Sequence, residues 1–233
     1  RVIYTTNGYW VNDGFNFWTA AETDRGAKLV GSQHGGCYGS AAWSNLEAHE
    51  ISVCDKYFSW GWEKEEQPKV IPFQSGQLKG LKPKITSDPY GSILWLGIPS
   101  VPRYARHLVS VPMSSQMLDY LNEQQRFAQA ICPEVYKILV RRLYPLRCDW
   151  AEELRWADMD PGLNVYSGGK NMYQQLNKSR LCIGTYHSTT DLETLARNYP
   201  TITFFNPNLN ELRESAKPYF ESLRQVGIYH ETP

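Results

Sequence analysis

The chain has 233 residues with 24 basic and 24 acidic side chains, so its net charge builds in no long-range attraction to nucleic acid or an anionic membrane. Apolar runs such as Ile138 to Val140 fall far short of the roughly 20 residues that cross a bilayer. Its five cysteines (Cys37, Cys54, Cys132, Cys148 and Cys182) are widely spaced and form no CxxC pair, which argues for reduced thiols in a cytoplasmic protein and against a disulfide framework or zinc knuckle.

Residues 1–6 read as a buried strand at the very start, and the chain stops just after another strand-like stretch; these cuts predict a piece of a longer protein. A helix is expected over 15–25, with Asp13 ahead of it as a turn or cap residue. A strand from Lys28 then runs into Gln33-His34-Gly35-Gly36-Cys37-Tyr38-Gly39. Glycine lacks Cβ, so such a turn can bring backbone N–H groups close to a ligand. With a helix over 41–49 these amides favour an anion, and His34 can donate a hydrogen bond or move a proton beside them. The alternative is a tight turn in which His34 satisfies the backbone. A further strand over 51–60 completes a βαβ rhythm, which implies a parallel sheet.

Residues 67–90, rich in Pro, Gly, Lys and Ser, read as a crossover or linker. The rhythm resumes with a strand over 92–96, a helix over 114–131, and segments over 135–143, 163–166 and 174–178. Strands over 181–185 and 201–205 follow, separated by a helix over 191–198 and closed by one over 210–226. Tyr186-His187-Ser188-Thr189-Thr190-Asp191 places hydroxyls at a helix start, with Glu193 one turn in. Ligands of open α/β sheets bind outside the carboxyl ends of the strands, so this cluster suits a phosphate and Glu193 a ribose; an ordinary N-cap is the competing reading. Arg141-Arg142-Leu143-Tyr144-Pro145 can aim guanidinium donors at phosphate, or be a solvated charge pair. Pro102-Arg103-Tyr104 with Arg106-His107 forms a weaker basic cluster. Asp158-Met159-Asp160 reads as a turn rather than a metal site, and Gly168-Gly169-Lys170 lacks the rest of a P-loop. His49 and Glu50 lack the second histidine of HExxH and read as helix-end packing or supporting residues, and Trp60-Gly61-Trp62 as core.

The ordered set Asn12-Asp13-x-Phe15-x-x-Trp18, Gln33 to Gly39, His49-Glu50, Asp55-x-Tyr57-x-x-Trp60-Gly61-Trp62, Arg142 to Pro145, Thr185 to Ala196 and Asn206-Pro207 resembles a bacterial surface-polysaccharide transferase family. Its members are GT-B glycosyltransferases, the best understood being retaining β-Kdo transferases of the WbbB type that use CMP-Kdo. The resemblance implies an α/β fold of two Rossmann-like lobes with parallel sheets. Residues 1–90 would be the end of a truncated acceptor-side lobe plus linker, and 91–233 the donor-binding lobe. It implies a carboxylate nucleophile at Asp13, with His34 and Gln33 at the reacting centre or departing phosphate. Gly35, Gly36, Arg103, Arg142, Tyr144, Tyr186, Ser188, Thr189 and Thr190 would line the donor site, and Glu193 would hold the ribose. Tyr144-Pro145 replaces the His-Pro of many CMP-sugar enzymes, which removes a histidine from the leaving-group role there. No metal or cofactor is implied, CMP-Kdo being the donor substrate. The implied partners are a polysaccharide acceptor and membrane-bound glycan assembly at the inner face of the cytoplasmic membrane, with no nucleic acid. A different nucleotide-sugar transferase, a GT-B epimerase and a non-catalytic carbohydrate-binding module are the alternatives.

Overall fold

The computed structural model describes residues 1–10, 12–79, 85–98, 110–144, 150–169 and 171–233. The first lobe runs β1 (Val2–Thr5), α1 (Asp13–Asp24), β2 (Lys28–Ser32), α2 (Asn45–Val53), β3 (Lys56–Ser59), β4 (Val70–Pro72) and α3 (Gly76–Lys79). Its four strands pair in sequence order and in parallel. Alternation explains the inner face, where Ile3, Leu29 and Tyr57 are buried beside Ile51 of α2. Two caps fix the helix starts: Asn12 accepts from the Phe15 amide and Ser44 from the Glu47 amide.

Two expectations fail in this lobe. The apolar run 51–54 is not strand, because α2 continues to Val53 with Glu47, Glu50 and Ile51 on its buried face at helical spacing. Strand β3 begins only after Asp55, whose carboxylate accepts from the Leu29 amide at 2.8 Å. Residues 67–90 are not only a linker, since Val70–Pro72 adds an edge strand, where a proline at the end removes no needed ladder bond.

The second lobe runs β5 (Ser92–Leu96), α4 (Gln116–Ala130), α5 (Pro133–Tyr136), β6 (Leu139–Arg142), α6 (Glu152–Met159), β7 (Asn164–Tyr166), α7 (Met172–Leu176), β8 (Ser179–Gly184), α8 (Thr189–Ala196), β9 (Thr201–Phe204), α9 (Lys217–Gln225) and β10 (Tyr229–His230). Strand order is β10-β9-β8-β5-β6-β7, all parallel. The chain winds outward from β5 in one direction and from β8 in the other. The switch point therefore lies between β5 and β8, where doubly wound sheets open a ligand crevice. Helix α6 has no counterpart among the expected elements; it buries Trp156 edge-on against Trp95 at 5.3 Å, in a cluster with Leu139, Ile183 and Phe204. The last helix is shorter than expected because residues 211–213 leave it to join the first lobe. The two sheets are the Rossmann-like lobes of a GT-B-type α/β chain. Among the described residues no helix is long and apolar enough to cross a membrane.

The lobes are joined by a short antiparallel exchange. The Ala42 amide donates to the Glu211 carbonyl at 2.8 Å and the Arg213 amide to the Ser40 carbonyl at 2.9 Å. The Arg213 guanidinium reaches the buried Glu47 carboxylate at 2.6 Å and lies over Trp62. Tightest is the approach at Gly36, where a Cβ would stand 2.3 Å from the Ser188 carbonyl carbon. Gly36→Ala should therefore lower Tm by about 3–10 °C, from roughly 1–3 kcal/mol of overpacking in a chain of this size. Gly76→Ala, whose added methyl would meet nothing within 4 Å, serves as control. Equal melting of both variants and wild type would contradict the contact.

Candidate functional site

The Gly-rich turn follows β2 and the 188–190 turn follows β8, each beyond the carboxyl end of its strand, and the two meet. The Gly36 amide donates to Thr189 Oγ1 at 2.9 Å, and Ser40 Oγ lies 3.0 Å from His187 Nδ1. The Gly35 and Gly36 backbone thus faces the N-terminus of α8 directly.

Within the turn, Gln33 is buried and its carboxamide is saturated. Its Oε1 accepts from the Trp60 amide at 2.8 Å and from Trp62 Nε1 at 2.7 Å, while Nε2 donates to the Gly35 carbonyl at 2.7 Å. Gln33 therefore holds the turn against the end of β3 and has no free group for a reacting centre. His34 is only partly exposed, ringed by Trp10 at 5.5 Å and Tyr38 at 5.0 Å, both edge-on. Burial holds its pKa down, opposed by a hydrogen bond to the Thr6 backbone, so its ring is neutral near pH 7.

Behind His34 stands Glu50 of α2, 1% exposed. Tyr38 Oη donates to its Oε1 at 2.9 Å and Tyr57 Oη to its Oε2 at 3.0 Å. Burial pushes this carboxyl up to about 7, the two phenol bonds only partly offsetting it. His34 Nδ1 is buried, without a hydrogen-bond partner, 3.8 Å from Glu50 Oε1. Both groups are driven toward neutrality, so they form no fixed ion pair. Instead a proton held by Glu50 has an open acceptor a short movement away. Sequence alone reads Glu50 as a helix-end or supporting residue. The signal for its larger part is the pair of Tyr38 and Tyr57 hydroxyls flanking one carboxylate, which only the fold brings together.

Asp13 is the first residue of α1, exposed, with Asn12 rather than Asp13 as the cap. The loop that delivers it carries Trp10, whose ring packs on His34, so Asp13 and His34 follow neighbouring strand ends of one sheet.

Across the contact, Ser188 forms a capping box with Asp191, accepting from its amide at 3.0 Å. Asp191 is buried, which pushes its carboxyl up to about 7. Ser188 and Thr189 thus carry structural bonds, while Thr190 and Tyr186 are half-buried beside them. Glu193 is buried, and its Oε1 accepts from Gln77 of the first lobe at 2.7 Å and from Tyr173 at 3.0 Å. Arg142 ends β6, where it hydrogen-bonds Gln175 and packs on Tyr166 at 5.6 Å; Tyr144, two residues on, is exposed. Arg103 with the rest of its basic cluster, Pro145 and Lys170 lie outside the described residues. Asp160 accepts the Tyr136 hydroxyl at 2.6 Å, and among the described residues no cluster of three or more His, Cys, Asp or Glu could hold a metal.

No curated protein and no solved structure matches the chain. A family model described as LIC12162 family transferase matches residues 1–233. That match spans both lobes, and the chain belongs to the LIC12162 transferase family.

Proposed function

We propose that the protein is a glycosyltransferase of bacterial surface-polysaccharide synthesis that moves Kdo from CMP-Kdo to a polysaccharide end with retention. It would work at the inner face of the cytoplasmic membrane beside membrane-bound glycan assembly. The observation that carries this reading is the meeting of the His34–Gly36 turn with the N-terminus of α8, one strand-end turn from each lobe. That meeting sets a proton-moving group opposite a helix start suited to phosphate.

In this reading the Asp13 carboxylate attacks the anomeric carbon as its bond to the phosphate oxygen breaks and CMP leaves. The acceptor hydroxyl then displaces Asp13, and its proton passes to neutral His34. Two inversions give net retention, the logic of retaining glycosidases. Glu50 and its tyrosines set the proton balance of His34, and Gln33 positions the turn. Thr190, Arg142 and Tyr144 contact the phosphate and Glu193 the ribose, the latter by exchanging its Gln77 bond. The even charge balance of the chain suits a polymer recognised by hydroxyl contacts rather than by charge.

The donor is tested by thermal shift. CMP should raise Tm by mass action while UDP and GDP do little. Arg142→Ala should weaken CMP by about 1.5–3 kcal/mol, the range for a charge-assisted hydrogen bond. An equal response to the three nucleotides would reject CMP as the donor's leaving group.

The Glu50 carboxyl gives a pH prediction. It titrates at about 4.3 when unfolded and about 7 when folded, so the folded state holds an extra proton between these values. Stability falls as pH rises through that window and levels above it. Glu50→Gln removes this dependence, so wild type should lose about 2–3 kcal/mol relative to the variant between pH 5 and pH 8, read from urea midpoints. Parallel pH curves would mean that Glu50 is ionised in the folded protein throughout.

A further inference from the structure

Arg141 is fully buried in the second lobe, on the face of β6 opposite Arg142. Its guanidinium carbon lies 4.2 Å from the Trp95 ring centroid and 5.4 Å from that of Trp156. Among the described residues its hydrogen bonds go only to neutral acceptors: Leu96 O at 3.1 Å, Tyr120 Oη at 3.1 Å and, at 3.5 Å, Gln124 Oε1. Its Nε has no partner, and among the described residues no carboxylate lies within ion-pair distance. A buried cation is costly unless something compensates it, and two indole faces with neutral oxygens do so only in part.

Leu96 ends β5 and Thr185 follows β8, the two strands of the switch point. Thr185 Oγ1 donates to Leu96 O at 2.8 Å, which leaves it to accept the Tyr120 proton at 2.8 Å. Tyr120 Oη in turn accepts from Arg141 and, at 3.2 Å, from the Ile98 amide. Gly97 lies directly over the cation: a Cβ there would stand 3.2 Å from Arg141 Nη2. The charge thus lies under a floor formed by Leu96–Ile98 and Thr185 at the carboxyl ends of β5 and β8, covered by backbone and two hydroxyls.

We propose that Arg141 is a charge-positioning residue whose missing counter-charge is the phosphate of the bound nucleotide, attracted through the Leu96–Ile98 and Thr185 floor without contact. This rests on the nucleotide-donor reading above and adds a residue to it. A buried charge is screened less by salt and water than an exposed one.

The test compares CMP with cytidine by calorimetry on wild type, Arg141→Met and Arg141→Lys. Methionine fills the slot between the two indoles and removes a buried charge, a change that is often neutral for stability. The ratio of cytidine Kd to CMP Kd should fall about tenfold in Arg141→Met, equivalent to about 1.4 kcal/mol, with cytidine Kd within about twofold of wild type. Arg141→Lys should restore most of the ratio, and it supplies the comparison if the methionine variant does not fold. Loss of CMP and cytidine affinity in equal proportion would make Arg141 merely structural and overturn the inference, as would an unchanged ratio. If wild type binds neither compound, the nucleotide reading itself fails, and the inference with it.

Discussion

The contact of Gly36 with the Ser188–Thr189 backbone is the closest approach between the two lobes at the strand-end turns. It allows no side chain at residue 36, so the two strand-end turns lie against each other at van der Waals distance. Around it Arg213, Glu47 and the 40–42 backbone supply directional bonds that a hydrophobic patch alone would not. Relative lobe placement is therefore fixed beside the site rather than at a remote hinge.

The two lobes also divide the electrostatics. The first buries an acid, Glu50, between two phenols and drives it toward neutrality; the second buries a cation, Arg141, between two indoles. The buried acid and the buried cation thus lie in different lobes.

Much of the fold is legible where period and caps agree. The strand 92–96 emerges as β5 with those bounds, and the hydroxyl cluster at 188–191 becomes a capping box. Short apolar runs are not legible: residues 51–54 satisfy a strand and a helix equally until Glu47 and Glu50 are seen to share a buried face. The site is legible as turns but not as networks. Gln33 carries the motif that identifies its turn, yet its amide is consumed internally; Glu50 and Arg141 stand in short motifs that do not reveal their settings, which come from burial and from partners 7 to 46 residues away.

Double displacement as proposed requires a transient bond between the donor sugar and Asp13. The direct measurement is intact-mass and peptide-mass analysis of the protein after incubation with CMP-Kdo in the absence of acceptor. Double displacement through Asp13 predicts a gain of one Kdo residue on the peptide containing Asp13, lost on adding acceptor and absent from Asp13→Asn, whose amide is a far poorer nucleophile. An adduct on another carboxylate such as Glu22 or Glu50, or turnover by Asp13→Asn at the wild-type rate, would contradict it.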